Sequence, residues 1–297
     1  MALRFGDRFL TAATRLATLL VCGVPAAAVA PAPMRFGADP AAAVWQFDGN
    51  RMACRLTHEI PNFGTAQFAQ EAGGSLAFAM TSWRVELNGG FAVSAASPDW
   101  SADRAADEAL GEAKAAPPRA IVVAAPLAES MLRELYRGRY PKVASDDVSV
   151  SISAVGFRAP YEVYSRCVAE LLPASFAQLE SSAIGFAIGK AELDAAAKAR
   201  LDLLAQYVEA DPSVSHVRVD GYTDSSGREP KNRQLSEARA RAVTDYLVAA
   251  GCDQEAIETR FHSARFPTAS NDTDDGRAKN RRVTVRLVRG SARIAQR

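Results

Sequence analysis

The residues with the clearest binding chemistry lie between positions 221 and 239. The stretch GYTDSSG, residues 221–227, leaves a predicted strand through a glycine-flanked turn and places Asp224 at the end of that strand. Asn232, Ser236 and Arg239 follow at spacing i, i+4 and i+7, which puts them on one face of a helix. A carboxylate and a guanidinium that converge there can hold a zwitterionic ligand, because arginine binds carboxylates bidentately and aspartate accepts from an ammonium. The alternative is a structural ion pair between Asp224 and Arg239 that ties the turn to the helix.

Catalytic and metal-binding arrangements are not indicated by the sequence. The three histidines, His58, His216 and His262, are scattered, and no cysteine–histidine pair has the spacing of metal ligands. Ser236 has no evident base to activate it. The composition is that of a globular protein, 48% hydrophobic and 23% charged, and a net charge of +1 gives no basic field for nucleic acid. We therefore predict a non-enzymatic protein with no cofactor, no metal and no nucleic-acid partner.

The elements that must position these residues belong to a second domain, predicted over residues 171–297. Residues 168–180 are expected to form a linker into it, and beyond residue 184 strand-like and helix-like segments alternate. The predicted strands are 184–188, 214–219, 257–261 and 283–288, and the predicted helices are 193–209 and 229–250. This order predicts an α/β sandwich in which two helices pack on one face of a mixed sheet, so the fold class of the whole chain is α+β.

A first domain, predicted over residues 31–170, has short alternating segments separated by Gly, Pro, Asn and Asp. Residues 75–80, 121–123 and 147–154 have strand patterns, and residues 127–136 have the apolar stripe of a helix. This spacing is typical of a small β-sandwich or barrel. We expect the three tryptophans to lie in its core: Trp45, Trp83 and Trp100.

Residues 1–30 have the pattern of a secretory signal peptide. Basic residues precede the apolar stretch 16–24, and small residues follow it up to Ala30. The apolar stretch is shorter than the roughly 20 residues that a spanning helix needs, which disfavours a membrane anchor. A lipoprotein site at Cys22 is the other alternative, although Val21 stands where a small residue is expected. The pattern predicts cleavage after Ala28 or Ala30 and export to an oxidising compartment.

Three cysteines lie beyond this leader: Cys54, Cys167 and Cys252. An odd count allows at most one internal disulfide and one free thiol, and the sequence permits three pairings. We favour Cys54–Cys167, because both cysteines lie in the first domain and could close it. Cys252 follows Gly251 at a helix end and is expected to be a small buried apolar residue.

The second domain resembles the OmpA-like peptidoglycan-binding family. The pieces T-D-x-x-G at 223–227, N-x-x-L-S at 232–236, R-A at 239–240 and N-R-R-V at 280–283 occur in the family's order. The resemblance covers about residues 180–289 and implies binding of the diaminopimelate-containing stem peptide of peptidoglycan. It implies that Asp224 and Arg239 hold the ammonium and carboxylate of diaminopimelate, with Thr223 and Asn232 nearby and Arg281 supporting the site.

Two positions depart from the OmpA-like pattern. Ala187 follows Phe186 where the family often has an acidic or polar residue, and HSARF at 262–266 replaces a glycine-rich turn before Pro267. We expect one wall of the pocket to differ, with an effect on affinity rather than on the binding mode.

Nearly the whole chain beyond the leader resembles the MotY family of periplasmic proteins of the sodium-driven flagellar motor. The similar segments are Trp45–Phe47, CRLTHEIPNFG at 54–64 followed by Ala66–Phe68, and Tyr164–Cys167. The resemblance implies a periplasmic location, a disulfide between the two first-domain cysteines, and a place in a ring around the basal body with a MotX-like partner. It further implies that the first domain docks to the motor while the second fixes the ring to peptidoglycan and so helps to hold stator units. The alternative is a general tether between envelope and peptidoglycan without a motor role.

Overall fold

The computed structural model describes residues 32–98, 101, 106–116 and 119–290. The predicted leader, Cys22 and Trp100 lie outside the described residues. Within them, no helix is long and apolar enough to cross a membrane. The chain forms a β-rich first domain and a second domain with helices on a sheet, which confirms the predicted fold class.

One sheet of ten strands builds the first domain, in the order β1-β10-β9-β6-β7-β8-β5-β4-β3-β2. Adjacent strands in this sheet are antiparallel, except for β1 and β10, which are parallel. The alternating apolar residues of these strands face one buried core. The strands are β1 (Met34–Gly37), β2 (Trp45–Gly49), β3 (Ala53–Ile60), β4 (Gly64–Glu71), β5 (Ala77–Ser82), β6 (Gly90–Ala96), β7 (Glu108–Ala116), β8 (Ala120–Val123), β9 (Tyr140–Ala144) and β10 (Val148–Ser151).

The turn between β3 and β4 shows how the local sequence sets this sheet. Asn62 has a φ of 62°, a left-handed conformation that asparagine tolerates better than most residues. A Cβ on Gly64 would lie 1.8 Å from the carbonyl oxygen of Thr81 on β5, so only glycine allows this close approach. Phe63 between them is fully buried. The segment IPNFG therefore forms a tight hairpin and places an aromatic ring in the core.

Two helices pack in the first domain, α1 (Ala125–Tyr136) and α2 (Arg158–Ala169). The first matches the prediction, whereas the second was missed: it begins without a side-chain cap, and Tyr164 is its one buried residue. Helix α2 packs near β2 and β3 and carries Cys167 to Cys54, with 6.0 Å between their Cα atoms. This disulfide confirms the favoured pairing, and Cys252 is free and buried.

The tryptophans do not share one environment. Trp45 is buried between His58, Phe68 and Phe157, and its indole N–H donates to the carbonyl oxygen of Ser153 at 2.9 Å. Trp83 is 52% exposed, so its assignment to the core is wrong. It follows β5 directly, where the chain leaves the sheet.

The second domain has a four-stranded sheet in the order β11-β14-β12-β13, in which β12 and β13 are parallel and the other pairs antiparallel. The long helices α4 and α5 cover one face of it. Helix α6 in the last connection was not predicted, and it begins at a side-chain cap in which Thr273 accepts from Gly276 N–H at 3.1 Å. The elements are α3 (Phe176–Leu179), β11 (Ser181–Gly185), α4 (Ala195–Ala210), β12 (Val214–Gly221), α5 (Glu229–Ala249), a short 3-10 helix (Gln254–Ala256), β13 (Ile257–Phe261), α6 (Asp274–Asn280) and β14 (Arg282–Arg289).

The segment predicted as a linker is packed rather than free. Leu172 and Ala174 are buried in the core of the second domain, together with Ala72 from the end of the β3–β4 hairpin. Leu172 also exchanges backbone hydrogen bonds with the first domain, donating to Arg51 and accepting from Gly73 at 3.0 Å each. The connection between the domains is therefore part of a shared hydrophobic contact.

Candidate functional site

A cavity of about 240 Å³ opens where β12 ends and α5 begins. All five residues predicted to bind a ligand line it, although they come from three separate parts of the second domain. The lining residues are Thr223, Asp224, Asn232, Arg239 and Arg281 from the prediction, together with Ile188, Gly189, Ser226, Gly227, Lys231 and Leu235.

Close packing of helix against strand forms the floor of this cavity. A Cβ on Gly221, the last residue of β12, would lie 2.3 Å from the carbonyl oxygen of Ser236 on α5. Glycine is therefore required for the helix to approach this closely. The approach brings Arg239, three residues further along α5, beneath the end of the strand.

Arg239 is fully buried, and protein carbonyls take up three of its five N–H groups. Nε donates to Lys190 O at 2.8 Å, Nη2 to Ala187 O at 3.0 Å and Nη1 to Tyr222 O at 3.1 Å. Burial lowers the pKa of Arg239 to about 10, and the nearby carboxylate of Asp224 opposes this shift. The guanidinium is therefore charged at neutral pH. It lines the cavity with two N–H groups that none of these carbonyls uses.

Asp224 pairs with a different arginine from the one that the sequence suggested. Its Oδ2 accepts from Arg281 Nη1 at 3.1 Å, and its Oδ1 accepts from Ser226 N–H at 2.9 Å. The structural ion pair of the alternative interpretation thus forms with Arg281, not with Arg239. The reason is the sheet order, because β14 lies antiparallel to β12 and its start faces the end of β12.

Thr223 and Asn232 complete the polar wall. The Thr223 hydroxyl is buried and has no hydrogen-bond partner in the described part of the chain. Asn232 is buried one turn into α5, with its Nδ2 3.5 Å from Asp224 O. An unpartnered hydroxyl at a cavity wall is a free donor and acceptor for a ligand.

The two departures from the family pattern do not reach the cavity through their side chains. Ala187 contributes its carbonyl oxygen to Arg239, a contact for which any residue would serve. In the other segment, His262 Nε2 lies 2.8 Å from Asp220 Oδ1, and Ser263 O accepts from Thr223 N–H at 2.9 Å. That segment supports Thr223 from behind, and none of its residues lines the cavity.

Sequence reasoning missed the support provided by Asn280. It is fully buried, and its Oδ1 accepts from the N–H groups of Thr268 and Ala269 at 2.8 and 3.1 Å. Its Nδ2 donates to Asn271 Oδ1 at 2.9 Å, the same oxygen that accepts from Ser225 N–H at 3.2 Å. Asn280 thus fixes the loop that holds the turn around Asp224, and its place in N-R-R-V was the available signal.

Lys231, also missed, adds a third cation to the cavity beside Arg239 and Arg281, against the single carboxylate of Asp224. The exposed Ile188 and half-buried Leu235 add apolar surface at its walls. This balance of charges favours a ligand that carries at least one carboxylate together with a group that donates to Asp224.

Comparison with known proteins identifies both domains. Residues 36–173 match the MotY N-terminal domain, and residues 185–281 match the OmpA family. The sodium-type flagellar protein MotY of Vibrio parahaemolyticus is 30% identical over 266 residues, which cover 86% of this chain and 90% of that protein. The chain belongs to the MotY family.

Other relatives of this MotY-family chain match its second domain alone. Outer membrane protein A of Bordetella avium is 41% identical over 103 residues, 35% of this chain and 53% of that protein. The peptidoglycan-binding protein ArfA of Mycobacterium tuberculosis is 45% identical over 85 residues, 29% of this chain and 26% of that protein. Among solved structures, the peptidoglycan-associated lipoprotein of Burkholderia pseudomallei is 26% identical and covers 39% of this chain and 96% of that one, with a TM-score of 0.36.

Proposed function

We propose that this protein is a non-enzymatic, periplasmic component of the flagellar motor that binds peptidoglycan at the cavity between β12 and α5. The first domain, residues 31–170, docks to the basal-body ring and to a MotX-like partner. The second domain, residues 171–297, anchors the ring to the cell wall and so indirectly holds stator proteins. Family membership over most of the chain supports the motor role.

The observation that carries the wall-binding proposal is the shared cavity of Asp224, Arg239 and Thr223. Diaminopimelate ends in a carbon that bears both an ammonium and a carboxylate. The carboxylate accepts from the free N–H groups of Arg239, and the ammonium donates to the carboxylate of Asp224. Thr223 and Asn232 bind the remaining polar atoms. Arg281 orients Asp224 through their 3.1 Å hydrogen bond.

Many such sites around a ring would act together on one covalent mesh. Once one site of the ring has bound, binding at a second site is intramolecular. The overall affinity of the ring for peptidoglycan therefore rises although each single site is weak. In this way a motor component that must resist torque is attached firmly to the cell wall.

Titration of a diaminopimelate stem peptide tests the clamp. We expect Asp224→Asn to weaken binding at least about 30-fold, because truncation of a buried charge partner costs roughly 2–5 kcal/mol and 1.4 kcal/mol is tenfold. The matched control is Asp211→Asn, which alters another buried aspartate of the same domain, paired with Arg289 at 2.7 Å and outside the cavity lining. Equal binding by wild type and Asp224→Asn would remove Asp224 from the site.

A second ligand separates recognition of the diaminopimelate end from general affinity for peptides. A stem peptide with lysine in place of diaminopimelate keeps the ammonium and lacks the terminal carboxylate. We expect it to bind at least about tenfold more weakly, because Arg239 then loses its charged acceptor. Equal affinity for both peptides would contradict the assigned role of Arg239.

The motor role is tested in cells of the source organism. Deletion of the gene should abolish swimming and remove ring density from basal bodies, and the Asp224→Asn chain should restore the ring with reduced motility. Normal swimming after deletion would favour the general tether instead.

A further inference from the structure

A second cavity lies on the other face of the second-domain sheet, the face that α4 and α5 leave uncovered. Its volume is about 570 Å³, and β11, β14 and α6 surround it. The lining residues are Ser181, Ala183, Gly185, Thr268, Ala278, Lys279, Arg282, Thr284 and Arg286. Three of them are cations, three carry hydroxyl groups, and none carries a carboxylate.

These cations are not neutralised by the protein. Among the described residues, no ion pair involves Lys279, Arg282 or Arg286. The neighbouring half of the same face differs: on β12 and β13, Arg218 pairs with Glu258 at 3.2 Å, and Asp220 is hydrogen-bonded to His262 at 2.8 Å. Cations without an ion-pair partner among the described residues therefore gather at the end of α6 and on β14.

Arg282 is the buried cation of this cavity, and contacts with the protein hold its guanidinium in place. The residue is only 9% exposed, its guanidinium lies 4.0 Å from the centre of the Tyr222 ring, and Nη2 donates to Phe266 O at 3.2 Å. Its Nη1 is buried and has no hydrogen-bond partner within the described chain. Burial lowers the pKa of Arg282, and the nearby Arg286 lowers it further, while Tyr222 acts in the opposite direction. A buried cation with a free donor is unfavourable unless an anion joins it.

We propose that Lys279, Arg282 and Arg286 form an oxyanion site that takes a phosphate or carboxylate group. Arg282 and Arg286 supply N–H donors on one face of β14, and Lys279 contributes an exposed ammonium from α6. The hydroxyls of Ser181 and Thr284 donate to the same anion. Arg281, which follows the last residue of α6, lines the first cavity, whereas Arg282, the first residue of β14, lines this one. The proposal does not depend on peptidoglycan binding.

Nuclear magnetic resonance on the purified protein tests it, with inorganic phosphate and malonate as separate probes and sodium chloride at matched ionic strength as reference. We expect phosphate or malonate, and not chloride, to shift the Nε–H signal of Arg282 in a saturable way. A response to phosphate alone would assign a phosphate ligand, and a stronger response to malonate a carboxylate one. Equal responses to all three salts would overturn the proposal.

Two double variants with the same charge change provide the control. Lys279→Gln/Arg286→Gln should weaken anion binding at least tenfold, because both exposed cations line the cavity. Arg218→Gln/Arg260→Gln removes two cations from the other half of the face, where Glu258 pairs with both, and should leave binding unchanged. Equal weakening by the two double variants would show a diffuse charge effect and contradict a defined site.

Discussion

The two domains differ in how many polar side chains they bury and where: the first buries a few, such as His58 and Glu134. The first domain encloses an apolar core and closes it with the disulfide between Cys54 and Cys167. The second has no disulfide among its described residues, and it buries polar side chains at one end of its sheet. These buried groups include Thr223, Asp224, Asn232, Arg239, Asn280 and Arg282. The first domain is thus held mainly by its apolar core and its disulfide, whereas the second holds a cluster of charged and polar groups in place at one end of its sheet.

The largest effect is expected where the second domain depends on a buried charge. Arg239→Ala leaves the carbonyls of Ala187, Lys190 and Tyr222 without their donor and opens a cavity under the strand. We expect the free energy of unfolding to fall by at least about 3 kcal/mol, since each unsatisfied buried group costs about 1–3 kcal/mol. Calorimetric melting measures this. Arg241→Ala on the same helix, where the side chain is exposed, should change stability by less than about 0.5 kcal/mol.

Arg239 thus has a structural role beside the ligand-binding role that we propose, and peptide binding by its alanine variant must be judged beside its melting curve. If Arg239→Ala and Arg241→Ala melted at the same temperature, the contrast between the domains would lose its main support.

In the first domain, the disulfide should have the next largest effect. Cys54→Ala/Cys167→Ala should lower the free energy of unfolding by about 2–5 kcal/mol, because the bridge joins residues 113 positions apart and restricts the unfolded chain. Thermal melting with and without reductant measures the loss. Cys252→Ala alters a buried thiol and keeps the bridge, so it should cost about 1 kcal/mol and lose stability in reductant as the wild type does. The double variant has no bridge to reduce and should respond little to reductant. A reductant effect of the same size in both variants would contradict the assignment.

A smaller effect is expected from acid on the first domain. The Nδ1 of His58 lies 2.8 Å from Val44 O and donates to it, which leaves Nε2 buried without a partner. Burial is the main cause that lowers the pKa of His58 below its ordinary value of 6.5. The unfolded chain therefore binds the proton more readily, and stability falls as the pH drops below about 6.5, by up to about 1.4 kcal/mol at about pH 5.5.

The melting temperature measured across this range tests the prediction. His58→Gln should flatten the dependence on pH, whereas His216→Gln at an exposed position of the second domain should leave it unchanged. An unaltered profile in His58→Gln would assign the acid sensitivity to other groups.

The smallest expected effect is a gain in stability. Phe266 has a φ of 61° and is 67% exposed, a strained conformation for a bulky residue. Phe266→Asn should stabilise the second domain by up to about 1 kcal/mol, because asparagine tolerates this backbone region. Phe261→Asn, in the regular strand β13, is the matched control and should destabilise it. If Phe266→Asn did not stabilise the domain, the ring contact between Phe266 and His262 would offset the backbone strain at position 266.

Much of the fold follows from local pattern. The helices α1, α4 and α5 and the strands β12 and β13 appear close to their predicted bounds, because α4 and α5 are long and end at the breakers Pro212 and Gly251, and α1 has a clear apolar stripe. Helix α2 and helix α6 were missed: α2 begins without a side-chain cap and buries only Tyr164, and α6 is short and polar. The packed connection around Leu172 was also missed, because its burial depends on Ala72, which lies about 100 positions earlier in the chain.

For the candidate site, the sequence determined which residues meet, and the tertiary structure decided how they pair. The spacing on α5 and the family motifs were sufficient to select Thr223, Asp224, Asn232, Arg239 and Arg281, all of which line one cavity. The hydrogen-bond partners of these residues could not be predicted from the sequence. In the structure, Asp224 binds Arg281, and Arg239 donates to three carbonyls. Hydrogen bonds between distant residues depend on which strands are neighbours and in what register. Here the antiparallel pairing of β14 with β12 places Arg281, rather than Arg239, within hydrogen-bond distance of Asp224.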